Sequence, residues 1–250
     1  SLKQATVLLI DDCSTDSRVV PYLRSLEDDP RVKIIQNKAN LGYTRTINAA
    51  IKESNESDIV LLNSDTIVNH DWLVQLKLAA YSSSSIGTVT PMSNNAGAFS
   101  FPVANENNSI PPQFSLNELS RRILLMTKDM NYLSLPTGNG FCMYIKRNLI
   151  DLIGLFDETL FPRGYGEENH FCMRALQQNI QNILCPHAYI YHVKTASFKS
   201  ERDKLIKEGQ AVLLKEFPSY MKKVKRDFNS QNMLSLRSKV KNAFSDFGIE

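Results

Sequence analysis

Four short runs in the first 90 residues are apolar without alternating: ATVLLI (5–10), VKIIQ (32–36), DIVLL (58–62) and IGTVT (86–90). A strand with one wet face places a polar residue at every second position, because successive side chains point to opposite faces. Runs without that alternation suit strands buried on both faces, as in a parallel sheet covered by helices. The segments between them carry apolar residues at helical spacing. Val19, Val20, Leu23 and Leu26 mark the first, which Asp16 or Ser17 can cap; the second runs from about 43 to 52; Trp72, Leu73, Leu76 and Leu78 mark the third, from about Asp71. Strand and helix in regular alternation predict right-handed βαβ crossovers and an α/β fold, with a mostly parallel central sheet flanked by helices.

Ligands of such sheets bind outside the carboxyl ends of the strands. The segments there are DDCSTD (11–16), NKANLG (37–42) and NSDT (63–66), all polar and turn-forming, two of them carrying carboxylates. Polar βα turns are common in any α/β protein, so one such turn alone is no site. Residues 91–135 are rich in Pro, Asn and Ser and read as long loops on the ligand edge, followed by a helix around Leu116–Thr127. In LPTGNGFCMYIKR (135–147), Gly138-Asn139-Gly140 reads as a turn and FCMYI as a buried strand. A short helix ends near Gly154, another begins at Glu167-Glu168, and AYIYHVKTASF (188–198) is a last strand that ends at His192.

At 250 residues, 42% hydrophobic and 22% charged, the chain can build one large α/β domain or two small ones. A net charge of +3 does not indicate a nucleic-acid partner. From Lys199 to Glu250 there are 12 Lys/Arg against 7 Asp/Glu, so the helical end of the chain is basic; it reads as a solvated helix face or as contact with an anionic membrane surface. Cys13, Cys142, Cys172 and Cys185 show no metal-ligand spacing and fit thiols in a reducing compartment. No run reaches the about 18 apolar residues that a membrane span needs, and no signal peptide is evident, so the expected location is the cytoplasm.

Three features could converge: Asp65 after a strand, Glu167-Glu168 at a helix start and His192 at a strand end. Each has a plain alternative. Asp65 could cap a helix, a carboxylate pair is favoured at a helix N-terminus by the dipole alone, and a lone histidine is more often structural.

The blocks VLLIDDCSTD, NKANLGYTRTINAAI, DIVLLNSDTIVNHDWL, GNGFCMYIKR, GLFDETLFPRGYGEENHFCMRA and YIYHVKTASF follow one another at characteristic intervals. Together, over about residues 5–198, they resemble the family 2 glycosyltransferases, inverting enzymes of GT-A fold that use nucleotide-diphosphate sugars. The nearest in pattern are bacterial enzymes of surface-polysaccharide biosynthesis in the cell envelope. The resemblance implies a site residue by residue. Asp65, last in the NSD that stands for a DXD motif, would coordinate Mn²⁺ or Mg²⁺ bridging the donor diphosphate, and His192 would be the second protein ligand. Asn63 replaces the commoner first acid and keeps hydrogen bonding. Asp11 matches the base-reading acid, which would favour uracil or thymine and hence a UDP- or dTDP-sugar, and Asp12 adjoins it. Glu168 takes the place of the base that deprotonates the acceptor, a glycan or lipid-linked hydroxyl. Glu167 precedes it in the donor site, and Gly138 and Gly140 let the backbone approach the donor sugar. His170 stands where relatives often carry Asp and reads as a structural position.

At the front the pattern departs from the family, whose first strand and helix have no counterpart before ATVLLI. The chain is thus expected to lack the usual first strand and to be part of a longer, multidomain protein. The domain boundaries expected are 1–198 for the GT-A domain and 199–250 for a basic helical extension. A catalytically degenerate nucleotide- or glycan-binding domain is the alternative reading. A nucleotidyltransferase is disfavoured by the lack of a Gly-rich phosphate loop with a following Lys.

Overall fold

The computed structural model describes residues 5–193 and 199–245, the side chains of 199–202 excepted. The elements run β1 (Val7–Asp11), α1 (Val19–Arg24), β2 (Val32–Gln36), α2 (Tyr43–Glu53), β3 (Ile59–Leu62), β4 (Thr66–Ile67), α3 (Trp72–Tyr81), β5 (Ile86–Ser93), α4 (Leu116–Thr127), β6 (Leu133–Leu135), β7 (Cys142–Ile145), α5 (Arg147–Ile153), α6 (Glu167–Gln177), β8 (Gln181–His192), α7 (Lys199–Glu216), α8 (Tyr220–Phe228) and α9 (Gln231–Ala243). All four apolar runs form strands, with helices between them as the spacing predicts.

The sheet is mixed, which corrects the expectation of a mostly parallel one. β1 and β2 pair in parallel as a two-stranded sheet, and a six-stranded sheet runs β3-β7-β5-β8-β4, with β6 against β8. Within it only β5 and β8 are parallel; β7 lies antiparallel between β3 and β5, and β4 and β6 are antiparallel to β8. The reason is general. An apolar run shows that both faces of a strand are covered, and says nothing about the direction of its neighbour. Among the described residues, no strand pairs with the second edge of β1 or of β3.

The principal core forms between the six-stranded sheet and α3, α4 and α9, through Leu76, Val89, Leu119, Tyr189, Leu236 and Val240 among others. A second cluster joins α2, α5 and α6 to the opposite face through Ile51, Leu149 and Phe171. A third packs α7 and α8 on α6 through Met173, Leu213, Phe217 and Tyr220. The basic end of the chain is therefore partly spent inside the fold. Arg237 donates to Ala98 O at 2.7 Å and to Ser100 O at 2.7 Å and lies over the Phe101 ring, and Lys239 donates to Met126 O at 3.0 Å. Lys222, Lys225 and Arg226 on α8 remain exposed. Among the described residues no helix is long and apolar enough to cross a membrane.

Candidate functional site

The turn after β3 and the end of β8 meet through β4. Thr66 pairs with His192 across the β4–β8 ladder, and Val193 N–H donates to Asp65 O at 2.9 Å. This brings two groups 127 residues apart in sequence into contact, with His192 Nε2 at 3.1 Å from Asp65 Oδ1. The other ring nitrogen, Nδ1, lies 2.9 Å from Asn95 O. A carbonyl only accepts, so Nδ1 carries the proton and a neutral ring turns its Nε2 lone pair toward the carboxylate. Two lone pairs facing each other are relieved either by a proton on Nε2 or by a cation between the groups. A carboxylate oxygen beside an imidazole nitrogen whose far side is anchored to a carbonyl is a donor set that fits a divalent ion, Mn²⁺ better than Mg²⁺ because of the nitrogen. Among the described residues no group of three or more His, Cys, Asp or Glu could hold a metal. Phe141 stacks on the imidazole with centroids 5.4 Å apart and planes 19° apart. Asn63 donates its backbone N–H to Phe141 O at 2.9 Å, which fixes the turn that carries Asp65.

The second half of the site is the start of α6. Gly164, Tyr165 and Gly166 all have positive φ, at 89°, 65° and 142°, so the chain doubles back sharply before the helix begins. A Cβ on Gly166 would meet the Phe161 ring at 2.6 Å, which leaves no room for a side chain there. Glu167 is buried, with Oε2 accepting from Gly166 N–H at 3.0 Å. Burial, and then Glu168 beside it, push the Glu167 carboxyl well above the ordinary glutamate range. Burial raises Glu168 as well, and its Oε2 is buried with no hydrogen-bond partner. Tyr43 joins this pair: burial, Glu167 and Glu168 all push its phenol upward. The phenol of Tyr220 on α8 is also pushed upward, chiefly by burial, and the Thr137 hydroxyl accepts from Asn169 Nδ2 at 2.9 Å.

The GNGF turn stands between the two halves. A Cβ on Gly140 would lie 3.4 Å from Tyr43 Oη, while the next residue, Phe141, stacks on His192. Gly138 is used differently: a Cβ there would meet Met143 Sδ at 2.6 Å and Thr90 Oγ1 at 2.7 Å, so its role is close packing within the fold.

At the ends of β1 and β2, Asp11 is buried and accepts from Ser14 N–H at 2.9 Å. Asp12 is committed to the protein. Its carboxylate accepts from Asn37 Nδ2 at 2.8 Å, Leu41 N–H at 2.9 Å and Gly42 N–H at 2.9 Å. Burial alone would raise Asp12, but these bonds outweigh it and hold the carboxyl below its ordinary value. The loop it clamps lines a cavity of about 570 Å³ together with Tyr43, Arg45, Pro162 and Arg163. Arg45, Arg163, Tyr43 and Tyr220 escaped the sequence reading. The first three lie inside the blocks NLGYTR and FPRGYG, yet nothing in those blocks says which side chains share a cavity. His170 ties α6 to α7: Nε2 sits 2.8 Å from Glu216 Oε2, and the ring lies between those of Phe161 and Phe217.

Residues 1–154 match the family described as Glycosyl transferase family 2. The chain belongs to that family. Among curated proteins it is 26% identical over 186 residues to the low-salt glycan biosynthesis hexosyltransferase Agl10 of Haloferax volcanii, covering 72% of this chain and 56% of that protein. It is also 21% identical over 202 residues to the uncharacterized protein y4gI of Sinorhizobium fredii, covering 76% of this chain and 21% of that protein. The chain thus spans about half the length of one curated relative and a fifth of the other. Among solved structures it superposes on the mannosyltransferase PcManGT of Pyrobaculum calidifontis in complex with GDP-Man and Mn²⁺, with TM-score 0.60, 15% identity and coverage of 95% of this chain and 64% of that one. A second superposition is with GalNAc-T7 bound to UDP, GalNAc and Mn²⁺, with TM-score 0.58, 13% identity and coverage of 95% and 48%. These family 2 and GT-A likenesses establish a glycosyltransferase domain with a mixed central sheet flanked by helices.

Proposed function

We propose that this family 2 domain moves a sugar from a nucleotide-diphosphate donor to a hydroxyl of a glycan or lipid-linked acceptor, with inversion at the anomeric carbon, in the assembly of a surface polysaccharide. The observation that carries the reading is the Asp65–His192 contact at 3.1 Å, with Nδ1 of the histidine anchored to a carbonyl. Asp65 and His192 would hold Mn²⁺ or Mg²⁺, and that ion, when bound, supplies positive charge to the leaving diphosphate. Mn²⁺ beside GDP-Man and UDP in the two similar structures supports this assignment. Asp11 accepts the ring N–H of a uracil or thymine. Glu168 takes the acceptor proton: burial raises its carboxyl and thereby strengthens it as a base, and its unpartnered Oε2 is the atom left for that work. Glu167 shares the pocket and shapes the titration of the pair.

Titration of UDP with Mn²⁺ tests the donor half. Binding is expected to depend on the ion, to vanish in Asp65→Ala and to weaken in His192→Ala; equal binding without metal removes the cation from the site. For the base, Glu168→Gln is expected to bind donor as the parent does and to lose transfer by about 10²–10⁴-fold in kcat. The rate in the parent should rise with pH through a range above that of an ordinary glutamate, since the raised Glu167–Glu168 pair must lose a proton before it can accept one. Full turnover by Glu168→Gln assigns the proton chemistry elsewhere.

A further inference from the structure

The β5–β8 ladder stops at the pair Ser93–Ile190, two residues short of His192. Beyond that point a side chain continues it. Asn94, 1% exposed, accepts from His192 N–H through Oδ1 at 2.7 Å and donates to His192 O through Nδ2 at 3.1 Å. On the other edge His192 faces Thr66 of β4, where the bond is made by the next residue, Val193 N–H to Asp65 O at 2.9 Å, so both backbone groups of His192 itself are taken by Asn94. We propose that Asn94 is a positioning residue for His192. It stands in for a neighbouring strand and so fixes the ring in the orientation that gives Nδ1–H to Asn95 O and leaves Nε2 facing Asp65.

The chemistry selects asparagine. One planar group must accept from a peptide N–H and donate to the carbonyl of the same residue, and the carboxamide is the shortest side chain that offers both. An aspartate keeps the acceptor and turns the donor into an oxygen set against His192 O. The fork also links the ring to the loop beyond it. Asn94 Nδ2 donates to Asn107 Oδ1 at 3.1 Å, and Asn94 O accepts from the backbone N–H and from Nδ2 of Asn108, both at 3.0 Å. Asn108 in turn accepts from Val103 N–H at 2.9 Å and donates to Val103 O at 2.9 Å. The asparagine-rich segment 94–108 is thus a brace built around one fork. The register of Asn95 O against Nδ1 follows from it, because Asn95 is the next residue along. The same device occurs elsewhere in the fold, where Asn48 accepts from Phe156 N–H at 3.1 Å and donates to Phe156 O at 2.9 Å.

The inference rests on the reading of His192 as a cation ligand only for its functional consequence; the ring geometry can be read without metal. With four histidines in the chain, the imidazole nitrogens of metal-free protein can be followed in a long-range proton–nitrogen spectrum, with His192→Gln as the assignment control. At about pH 8, above the ordinary imidazole range, the parent and Asn107→Ala should show His192 protonated on Nδ1. Asn94→Asp should show the other tautomer or a mixture. In calorimetric titration with Mn²⁺ in the presence of UDP, Asn94→Asp should lose about 10–100-fold in affinity, as expected for a partner that orients a ligand, with Asn107→Ala within about threefold of the parent. Should Asn94→Asp fail to fold, Asn94→Ser is read in the same way. A variant that melts lower yet keeps the Nδ1–H tautomer and the parent's affinity shows mere scaffolding and overturns the proposal. A parent that takes up no Mn²⁺ with UDP overturns the cation reading instead, and the tautomer then decides this one alone.

Discussion

β1 and β5 carry the same sequence signature, an apolar run without alternation, and meet different fates. All eight residues of β5 are buried, between β7 and β8 and under α3. In β1 only Asp11 is buried, its four apolar residues remain half-exposed, and the neighbouring α1 buries none of its side chains. β3 lies between the two, with Leu61 buried and Leu62 42% exposed. An unalternating run therefore reports what a strand's two faces require, while the pairing of its edges and the cover on its faces depend on distant parts of the chain. The division has a functional side. Asp11, proposed to face the nucleotide, ends the thinly covered strand β1; His192 and Glu168 are borne by β8 and α6, within the dense part. The groups proposed to act on the donor and the acceptor are thus held where packing is densest, as preorganisation requires.

The sharpest test of that contrast is a pair of leucine truncations. Leu236 of α9 is fully buried in the principal core, and Leu236→Ala should cost about 2–5 kcal/mol, since the cavity left behind cannot fully collapse. Leu9→Ala in half-buried β1 should cost at most about 1 kcal/mol, through the smaller area it returns to water. Denaturant melts of the two variants measure both. Equal losses would mean that β1 is as well supported as β5. The same experiment bears on the division of the chain. We read α9 as part of the folding unit that holds β5 and β8, because its buried residues share their core.

A second, smaller effect separates stability from function inside the dense half. Glu167 has a folded-state carboxyl raised above its unfolded value, so between the two values the folded state holds the extra proton. Stability then falls as pH rises through that window and is fully recovered below the ordinary glutamate range. Glu167→Gln removes the buried charge. It should raise the melting temperature at neutral pH by about 2–4 °C, with the gain vanishing as the pH is lowered through the ordinary glutamate range. A gain that is constant with pH would attribute the effect to packing.

Much of this was legible in the sequence for identifiable reasons. The alternation of runs and helices encodes burial, and burial is local chemistry; the strand end at Asp11, the turn at Asp65 and the helix start at Glu168 follow from it. The order of the strands was not legible. CMYI in β7 is buried on every side chain, and that pattern is the same whether the chain enters the sheet parallel or antiparallel. The support of His192 was equally hidden, since Ser93-Asn94-Asn95 has the composition of any polar loop and its decisive bonds span 98 residues. Arg237 and Lys239 were read as parts of a basic surface. Their partners are backbone carbonyls of the 98–102 turn and of α4, which no charge pattern displays.

The smallest expected effect on overall stability probes the thin half at its one firm point. Asp12 gathers three hydrogen bonds from the 37–42 loop, and the loop in turn leans on the 156–162 segment, where a Cβ on Gly42 would meet Pro162 O at 2.6 Å and Thr44 Oγ1 donates to Phe161 O. Asp12→Ala removes the acceptor and leaves two loop N–H groups to water, which can reach them because the loop lies at the surface. The global melting temperature should therefore shift by less than about 2 °C, whereas amide exchange at Leu41 and Gly42 should speed up many-fold, the mark of local opening. Asp12 has a folded-state carboxyl held below its unfolded value, so its contribution is present above the ordinary aspartate range and is lost as pH falls through the folded value. Parent and variant should accordingly exchange alike in strong acid and diverge as the pH rises. If Asp12 instead touches the donor directly, the variant would lose nucleotide affinity with no change in the exchange of the loop, and the clamp seen here would be secondary to that contact.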